Sequence, residues 1–234
     1  MIFNPYFNVY TDARGGDPDS TSPTLRAYHQ LLWSKPLPNG QIFTLTANKS
    51  KPYLYHNSPL GEFFLGSDAI THSYKNQTSK QAIVSQIPTE VQGLFDNGST
   101  VGAYCIFPNN KIDGKQTINQ IRGTNSFIDD RFDLTLACIQ RFYAGEQSPI
   151  YDTLLRYKSF FDLFGDFKGY VEFFLLQDLL DEQGNINFYF PFDGFKTKPI
   201  IANVAAYLHY KERAEAFVKA RTQRMVAYVA GLKK

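Results

Sequence analysis

The hydrophobic pattern of this chain changes its period about halfway along, and this change constrains the fold more than any single motif does. The first half contains short aromatic and β-branched runs separated by turn residues, such as "YLYH", "EFFLGS" and "VGAYCIFP", and these runs predict antiparallel strands. The second half spaces apolar residues three and four apart, as in "DDRFDLTLACIQRFYAG", which is the spacing of one helix face. We therefore predict an α+β fold, with an antiparallel β-rich N-terminal half (1–125) packed against a mainly helical C-terminal half (126–234).

Several individual elements are predicted from local signals. "SPTLRAYHQLLW" predicts a helix, because Ser22 is a good N-cap and Pro23 occupies the first helical position. The first ten residues alternate apolar and polar and predict a strand, as does "NINFYFPF". "SPIYDTLLRYKSFFDLFG" predicts a helix capped by Ser148, "YVEFFLLQDLLDEQG" predicts a buried helix, and residues 203–230 predict a long closing helix.

Length and composition indicate the class of protein. A chain of 234 residues, of which 43% are hydrophobic, fits one core, so we predict a single domain over residues 1–234. Cys105 and Cys138 lie in apolar stretches without metal-ligand spacing, which predicts buried free thiols in a reducing compartment. The opening residues lack the features of a secretory signal, and no window approaches the roughly 20 apolar residues of a membrane span. We expect a cytoplasmic protein that does not associate with a membrane.

Common catalytic motifs are missing from the chain. The patterns GxxxxGK[ST], GxGxxG after a strand, HExxH, GxSxG and SxxK are absent, which excludes P-loop NTPases, ordinary Rossmann enzymes, zincins, α/β-hydrolases and serine β-lactamases. The four histidines show no metal-ligand spacing, so we predict no metal site, and the sequence names no cofactor. A formal net charge of only +2 predicts no strong binding to generic duplex DNA.

Residues 12–40 form the first of three polar clusters that are candidates for a site. Asp17 and Asp19 flank a proline, and two loop carboxylates suit Mg²⁺ or Ca²⁺, but ordinary turn and capping chemistry explains them better. We retain both as candidate catalytic carboxylates. The same segment supplies candidates for holding an anion or stacking on a ligand: Arg14, Arg26, Trp33 and Lys35.

His56 is the centre of the second cluster. It ends a predicted strand just before a tight turn, where a histidine can act as an acid or a base near neutral pH. The alternative is a structural or surface histidine. We predict His56 as a candidate catalytic residue.

The third cluster lies in "TINQIRGTNSFIDDR". Asn119 and Arg122 are predicted on a loop that runs from a strand into a helix capped by Asp129 or Asp130, and a helix N-terminus favours an anion. Arg122 precedes a glycine that allows close approach of a ligand, and its guanidinium recognises phosphate or carboxylate as a fork. The alternative is that Arg122 clamps the loop to a buried aspartate.

Four segments together resemble an uncharacterised family of bacterial proteins with no assigned activity. They are "DPDSTSPTLRAYHQLLWSKPLPNG", "YLYHNSPLGEFFLGSD", "TINQIRG" and "DRFDLTLACIQRFY…FFDLFGDFKGYVEFFLLQDL". The resemblance implies a single family domain and a bacterial source. It implies no catalytic role for any residue.

Two functional hypotheses follow. In the first, the three polar clusters converge on one pocket that binds a phosphate-bearing ligand, either a nucleotide or a nucleic-acid end, because sites tend to form at the ends of elements. An enzyme of this kind would be a nuclease, a phosphoesterase or a nucleotidyl transferase. In the second, the chain is a non-enzymatic module of a bacterial defence or stress system that binds a protein partner through exposed aromatic residues, namely Trp33, Tyr53 and Tyr55.

Overall fold

A computed structural model of the chain describes residues 2–47, 54–71, 74, 78–87 and 99–232. Within these residues the fold is α+β, as predicted, with an antiparallel four-stranded sheet whose strands lie in chain order. The strands are β1 (Thr46–Ala47), β2 (Leu54–Ser58), β3 (Gly61–Ala69) and β4 (Tyr104–Pro108). The helices are α1 (Pro18–Thr21), α2 (Pro23–Trp33), α3 (Thr78–Val84), α4 (Ile118–Thr124), α5 (Phe132–Tyr143), α6 (Tyr151–Arg156), α7 (Lys158–Asp162), α8 (Phe167–Phe173) and α9 (Val204–Gly231).

The sheet is organised around β3, its longest strand. β2 and β3 form a hairpin in which Ser58 faces Gly61, and β3 pairs on its other side with β4, where Ala69 faces Tyr104. Every residue of β4 is buried. Covering on both faces explains why this strand is almost continuously apolar in sequence.

The helix predicted after Ser22 and the long closing helix are both confirmed. The Ser22 hydroxyl accepts a hydrogen bond from the backbone N–H of Leu25 at the start of α2 (3.1 Å). The Asn203 side chain accepts one from the backbone N–H of Ala206 (2.9 Å) at the start of α9. Both caps satisfy backbone donors that the first helical turn leaves open. No helix in the described ranges combines the length and the apolar character needed to cross a membrane.

Aromatic side chains form the core beside α7 and α8. The ring centroids of Phe164, Phe173 and Phe174 lie 4.9 to 5.1 Å from one another, at the separations that aromatic pairs favour. Trp33, from the end of α2, packs edge-on against Phe174 at 5.4 Å. The aromatic core therefore connects the N-terminal and C-terminal halves.

The strand predicted in the first ten residues is wrong. The side chains of Asn4 and Asn8 accept hydrogen bonds from the backbone N–H groups of Tyr6 and Tyr10, each two residues further along. A short 3₁₀ turn follows at Val9–Thr11. Asparagine side chains of this kind compete with a strand ladder for the backbone donors.

Two predictions in the C-terminal half also fail. The buried helix predicted over "YVEFFLLQDLLDEQG" ends at Phe173, and Leu175 takes a left-handed conformation (φ 54°). "NINFYFPF" forms no regular strand. Instead, the backbone N–H of Tyr189 donates to Asp133 (2.9 Å) and its carbonyl accepts from His209 (2.9 Å). Side chains from two helices therefore form the hydrogen bonds with this backbone that a neighbouring strand would have formed.

The predicted caps at Asp129, Asp130 and Ser148 are wrong as well. Both aspartates have left-handed backbones (φ 47° and 58°), and α5 begins after them at Phe132. Lys80 pairs with Asp129 and Arg122 with Asp130, so their carboxylates serve tertiary contacts. The helix predicted from Ser148 starts at Tyr151 and is divided into α6 and α7.

Gly102 is expected to be intolerant of a side chain, because α9 passes directly over it. A Cβ atom there would lie 2.1 Å from the Thr222 hydroxyl oxygen and 3.0 Å from the Val218 carbonyl oxygen. Gly102→Ala should lower the free energy of unfolding by about 1 to 3 kcal/mol through overpacking. Urea denaturation followed by circular dichroism measures this change.

Gly123 provides the matched control for that substitution. It lies within α4, and a Cβ atom there would meet nothing within 4 Å. Gly123→Ala should raise stability by roughly 0.5 to 1 kcal/mol, because alanine favours the helix. Equal effects of the two substitutions would contradict the close packing of α9 on Gly102.

Candidate functional site

A cavity of about 480 Å³ opens between the segment that follows α2 and the start of α8. Residues 35–38 form one wall, and residues of the α7–α8 connection and of α8, among them Phe164, Gly169 and Glu172, form the other. The Lys35 side chain lies against the aromatic core beside this cavity. Of the candidates from the sequence, Lys35 is the one in the cavity lining.

The Lys35 ammonium is enclosed by aromatic rings. Its Nζ lies 5.1 Å from the ring centroid of Trp33, 4.7 Å from that of Phe173 and 4.8 Å from that of Tyr228. The ring faces stabilise a cation. The residue is 8% exposed, and no carboxylate or hydrogen-bond acceptor among the described residues pairs with its ammonium.

A second buried cation, Arg221 on α9, lies against the same indole. Its guanidinium is 5.6 Å from the Trp33 ring centroid and is fully buried. It donates to the carbonyl oxygens of Gly102 and Tyr104 (both 2.8 Å) and of Phe174 (3.0 Å). It also interacts with the Cys105 side chain, and no carboxylate among the described residues forms an ion pair with it.

The charge of Arg221 acts on the Lys35 amine. Burial, followed by the charge of Arg221, lowers the pKa of Lys35 from its ordinary value of 10.5 to about 8. Burial disfavours the charged amine because the surroundings solvate it less well than water does, and a neighbouring cation adds to this effect.

A buried hydrogen-bonded chain links Trp33 to the sheet. The Trp33 indole N–H donates to Nδ1 of His29 (3.0 Å), so the other ring nitrogen, Nε2, carries the hydrogen and donates to the Ser67 hydroxyl (3.0 Å). Burial and the charge of Arg221 lower the pKa of His29 to about 3. His29 is therefore neutral and has no free nitrogen with which to act as a base toward Ser67.

A second polar group gathers at the Ser67–Ala69 end of β3. Burial, with a further contribution from the charge of Asp17, raises the pKa of Asp19 to about 7. Its Oδ1 atom is buried without a hydrogen-bond partner in the described structure. Asp17 itself is exposed and caps α1 by accepting from the backbone N–H of Asp19 (3.2 Å). Asn119 reaches the same place and donates to the Ser67 carbonyl oxygen (3.1 Å).

Arg122 is fully buried in this second group. Its guanidinium forms ion pairs with Asp68 and Asp130, and its Nε donates to the Thr135 hydroxyl (3.0 Å). The arrangement is that of a clamp between β3, α4 and α5. The assignment of Arg122 to ligand binding stays a prediction, and the geometry favours the structural alternative.

The loop predicted around Asn119 and Arg122 is instead the helix α4. The Thr117 hydroxyl accepts from the backbone N–H of Gln120, and the Gln120 side chain accepts from that of Thr117, which is a complete capping box. The pattern Thr-x-x-Gln in "TINQ" is the sequence signal that identifies this helix.

His56 lies far from Arg122. It faces Phe63 across the β2–β3 hairpin, whereas the partner of Arg122, Asp68, is five residues further along β3, a separation of about 17 Å along the strand. Nδ1 of His56 contacts the Thr44 carbonyl oxygen (3.0 Å), and its ring packs on Phe43. Burial lowers the pKa of His56, and the Thr44 carbonyl opposes that shift.

The structure thus divides the predicted candidates between two places. Asp19, Asn119 and Arg122 meet at one end of β3, whereas Lys35 lines the cavity and Trp33 lies behind it in the core. The remaining candidates have other surroundings: Arg14 and Asp17 are exposed, Arg26 is half-buried and donates to the Ser20 carbonyl oxygen, and His56 is buried. No group of three or more potential metal ligands is present in the described part of the chain.

Arg221 is the important residue that the sequence reasoning missed. It lies four residues after Phe217 and four before Met225, which are both buried, and is therefore on the same face of α9. The signal in the sequence that could have identified Arg221 is a charged residue at a position on the buried face of a helix. Such a residue has to find acceptors from elsewhere in the fold.

Arg122→Lys tests the clamp. Lysine keeps the positive charge but has no fork and no Nε–H for Thr135, so we expect a loss of about 1 to 3 kcal/mol of stability. A fall in Tm of roughly 2 to 4 °C per kcal/mol would report the loss. Arg14→Lys, at an exposed position, should change stability by less than about 0.5 kcal/mol. A normal Tm for Arg122→Lys would contradict the clamp.

Lys35 should make stability depend on pH in a specific direction. Its native pKa of about 8 lies below the ordinary value of 10.5, so between these pH values the unfolded chain holds a proton that the native chain has released. Stability from this group is therefore highest above pH 10.5 and is lost as pH falls through about 8. Urea denaturation at several pH values should show the wild type gaining stability relative to Lys35→Met from pH 8 to 10. A constant difference would contradict the lowered pKa.

Comparison with known proteins identifies the family of the chain. Searches of curated proteins and of solved structures gave no match. A family model does match, over residues 3–225, which is nearly the whole length. The chain belongs to the family described as "Family of unknown function (DUF6994)".

Proposed function

We propose that the cavity beside Lys35 binds a small phosphate-bearing ligand, such as a nucleotide. The observation that carries the proposal is the pair of buried cations, Lys35 and Arg221, which have no carboxylate partner in the described structure. Buried charges in proteins are normally paired, because an isolated one is costly. An anion in the cavity would supply the missing partner.

The electrostatic gain is large enough to matter. An anion about 4 Å from the Lys35 ammonium would gain about 4 kcal/mol at an effective dielectric constant of about 20, before the cost of removing water. The same anion would favour the protonated amine and raise the pKa of Lys35. Binding should therefore weaken as pH rises above about 8, where the free protein loses this proton.

The proposal keeps part of the predicted ligand site. In the proposed site, Lys35 contacts the anion. Trp33 packs against Lys35, and its ring is covered by protein. Arg14, Arg26, Asn119 and Arg122 as further ligand contacts, and Asp17, Asp19 and His56 as acid–base groups, stay predictions from the sequence. Enzymatic processing of the ligand is likewise a prediction.

No observation favours the protein-interaction hypothesis in the form stated. Trp33 is fully buried, and the Tyr55 hydroxyl donates to Glu62 (2.7 Å). Tyr53 lies outside the described residues. The exposed aromatic patch that would carry that hypothesis is therefore not formed by Trp33.

Thermal-shift measurements with inorganic phosphate and mononucleotides test the ligand proposal. A ligand at ten times its Kd stabilises the native state by about 1.4 kcal/mol, which corresponds to a Tm increase of roughly 3 to 6 °C for a chain of this size. Lys35→Met should abolish the shift, whereas Lys35→Arg should retain it because the charge remains. The shift should be smaller at pH 9 than at pH 7.

Arg141→Met is the matched control for location. Arg141 is another cation beside aromatic rings, 5.0 Å from the ring centroid of Phe195, and it lines a separate cavity. The control should retain the shift. Loss of the shift in Arg141→Met together with its survival in Lys35→Met would place the ligand elsewhere and overturn the proposal.

A further inference from the structure

We propose that Lys35 is a nucleophilic amine that forms an imine with a small aldehyde or ketone carrying an anionic group. This inference rests on the proposed ligand site and specifies the chemistry of its ligand. The geometry that supports it is a lysine amine held beside a cavity, with no carboxylate or acceptor among the described residues to retain its proton.

The environment of Lys35 differs from that of another buried lysine. Lys80 is 9% exposed, similar to Lys35 at 8%, but its ammonium forms an ion pair with Asp129 (2.6 Å). Lys35 has aromatic rings and a neighbouring cation instead.

A desolvated lysine next to another cation is a known way to activate an amine. With a pKa of about 8, about a fifth of the Lys35 side chains are neutral at pH 7.4, whereas an ordinary lysine is almost entirely charged. The neutral amine has the lone pair that attacks a carbonyl carbon.

The reaction balances without an oxidant or reductant. The amine nitrogen bonds to the carbonyl carbon, and a proton moves from nitrogen to oxygen to give a carbinolamine. Protonation of the hydroxyl releases one water as the nitrogen lone pair forms the C=N bond. The resulting iminium restores a positive charge at the position of the former ammonium, where it faces the anionic group of the ligand.

Within the inference, Glu172 carries protons in these steps, because it lines the same cavity. Two carboxylates line the cavity, Asp166 and Glu172. Asp166 caps α8 by accepting from the backbone N–H of Gly169 (2.7 Å). Glu172 is about half exposed, and its nearest cation, Lys168, is 3.8 Å away.

The anionic group on the ligand follows from the charge around the amine. The buried charge of Arg221 acts on position 35 and remains whether Lys35 is an amine or an iminium. A carbonyl compound that carries phosphate or carboxylate is therefore held more tightly than a neutral one. Phosphorylated aldehydes and small oxo acids share this chemistry.

Borohydride trapping tests the inference. The full chain is incubated with pyridoxal 5′-phosphate or with pyridoxal, reduced, digested and mapped by mass spectrometry. Lys35 should be modified several-fold more than Lys168, which lines the same cavity but is exposed. The phosphate-bearing aldehyde should be trapped at least several-fold more than pyridoxal at equal concentration.

The pH profile separates a specific amine from general lysine reactivity. Initial trapping rates at Lys35 should rise from pH 6.5 and level off above about 8, whereas the reaction of an ordinary lysine amine continues to accelerate at higher pH. Glu172→Gln should slow trapping at Lys35. Lys168→Arg should leave trapping at Lys35 unchanged.

Lys35→Arg distinguishes this inference from the binding proposal. Arginine keeps the charge but forms no imine, so the variant should still be stabilised by phosphate while trapping at position 35 disappears. Modification of Lys35 no greater than that of Lys168, with the phosphate stabilisation intact, would overturn the imine and leave the binding site standing. Equal trapping of the two aldehydes, with no stabilisation by phosphate, would overturn the anionic ligand instead.

Discussion

The buried guanidinium of Arg221 is the interaction on which the arrangement of the other parts depends. It joins α9 to the start of β4 and to the end of α8 through carbonyl oxygens that are 119, 117 and 47 residues away in sequence. The Phe174 carbonyl oxygen can accept hydrogen bonds from Arg221 because α8 has ended and Leu175 takes a left-handed conformation. Each of these features requires the others, since an unsatisfied buried guanidinium would be strongly destabilising.

The same guanidinium also acts electrostatically on Lys35, which lines the cavity. Arg221 and Lys35 lie against one indole, and the indole is oriented by its hydrogen bond to His29, which is in turn bonded to Ser67 on β3. The amine is therefore held by the core rather than by a mobile surface loop. Groups positioned in this way pay little ordering entropy when a ligand arrives.

Two buried cations that have no carboxylate partner among the described residues are expected to lower the stability of the free protein. Replacing such charges with apolar groups often stabilises a fold, and strained or unneutralised groups recur where a protein binds or reacts. An anion and an imine are compatible with the same site, because the iminium carries the charge that the ammonium carried before. The lowered pKa of Lys35 and its proposed reactivity then have one physical cause, which is burial beside Arg221.

Local signals in the sequence determined the fold class, the helix that begins at Ser22 and Pro23, the hairpin of β2 and β3, and the long closing helix. These features are predictable because helix caps, turns and the period of apolar residues each depend on only a few neighbouring residues. Local signals also marked the opening segment as unusual, and Lys35 lies within it. Tertiary structure alone decided that the first ten residues form no strand and that Arg122 is engaged by Asp68, 54 residues earlier in the chain. It also placed Arg221 beside Lys35. The partners of a buried charge come from distant segments that only the packed chain brings together, and no local pattern specifies them.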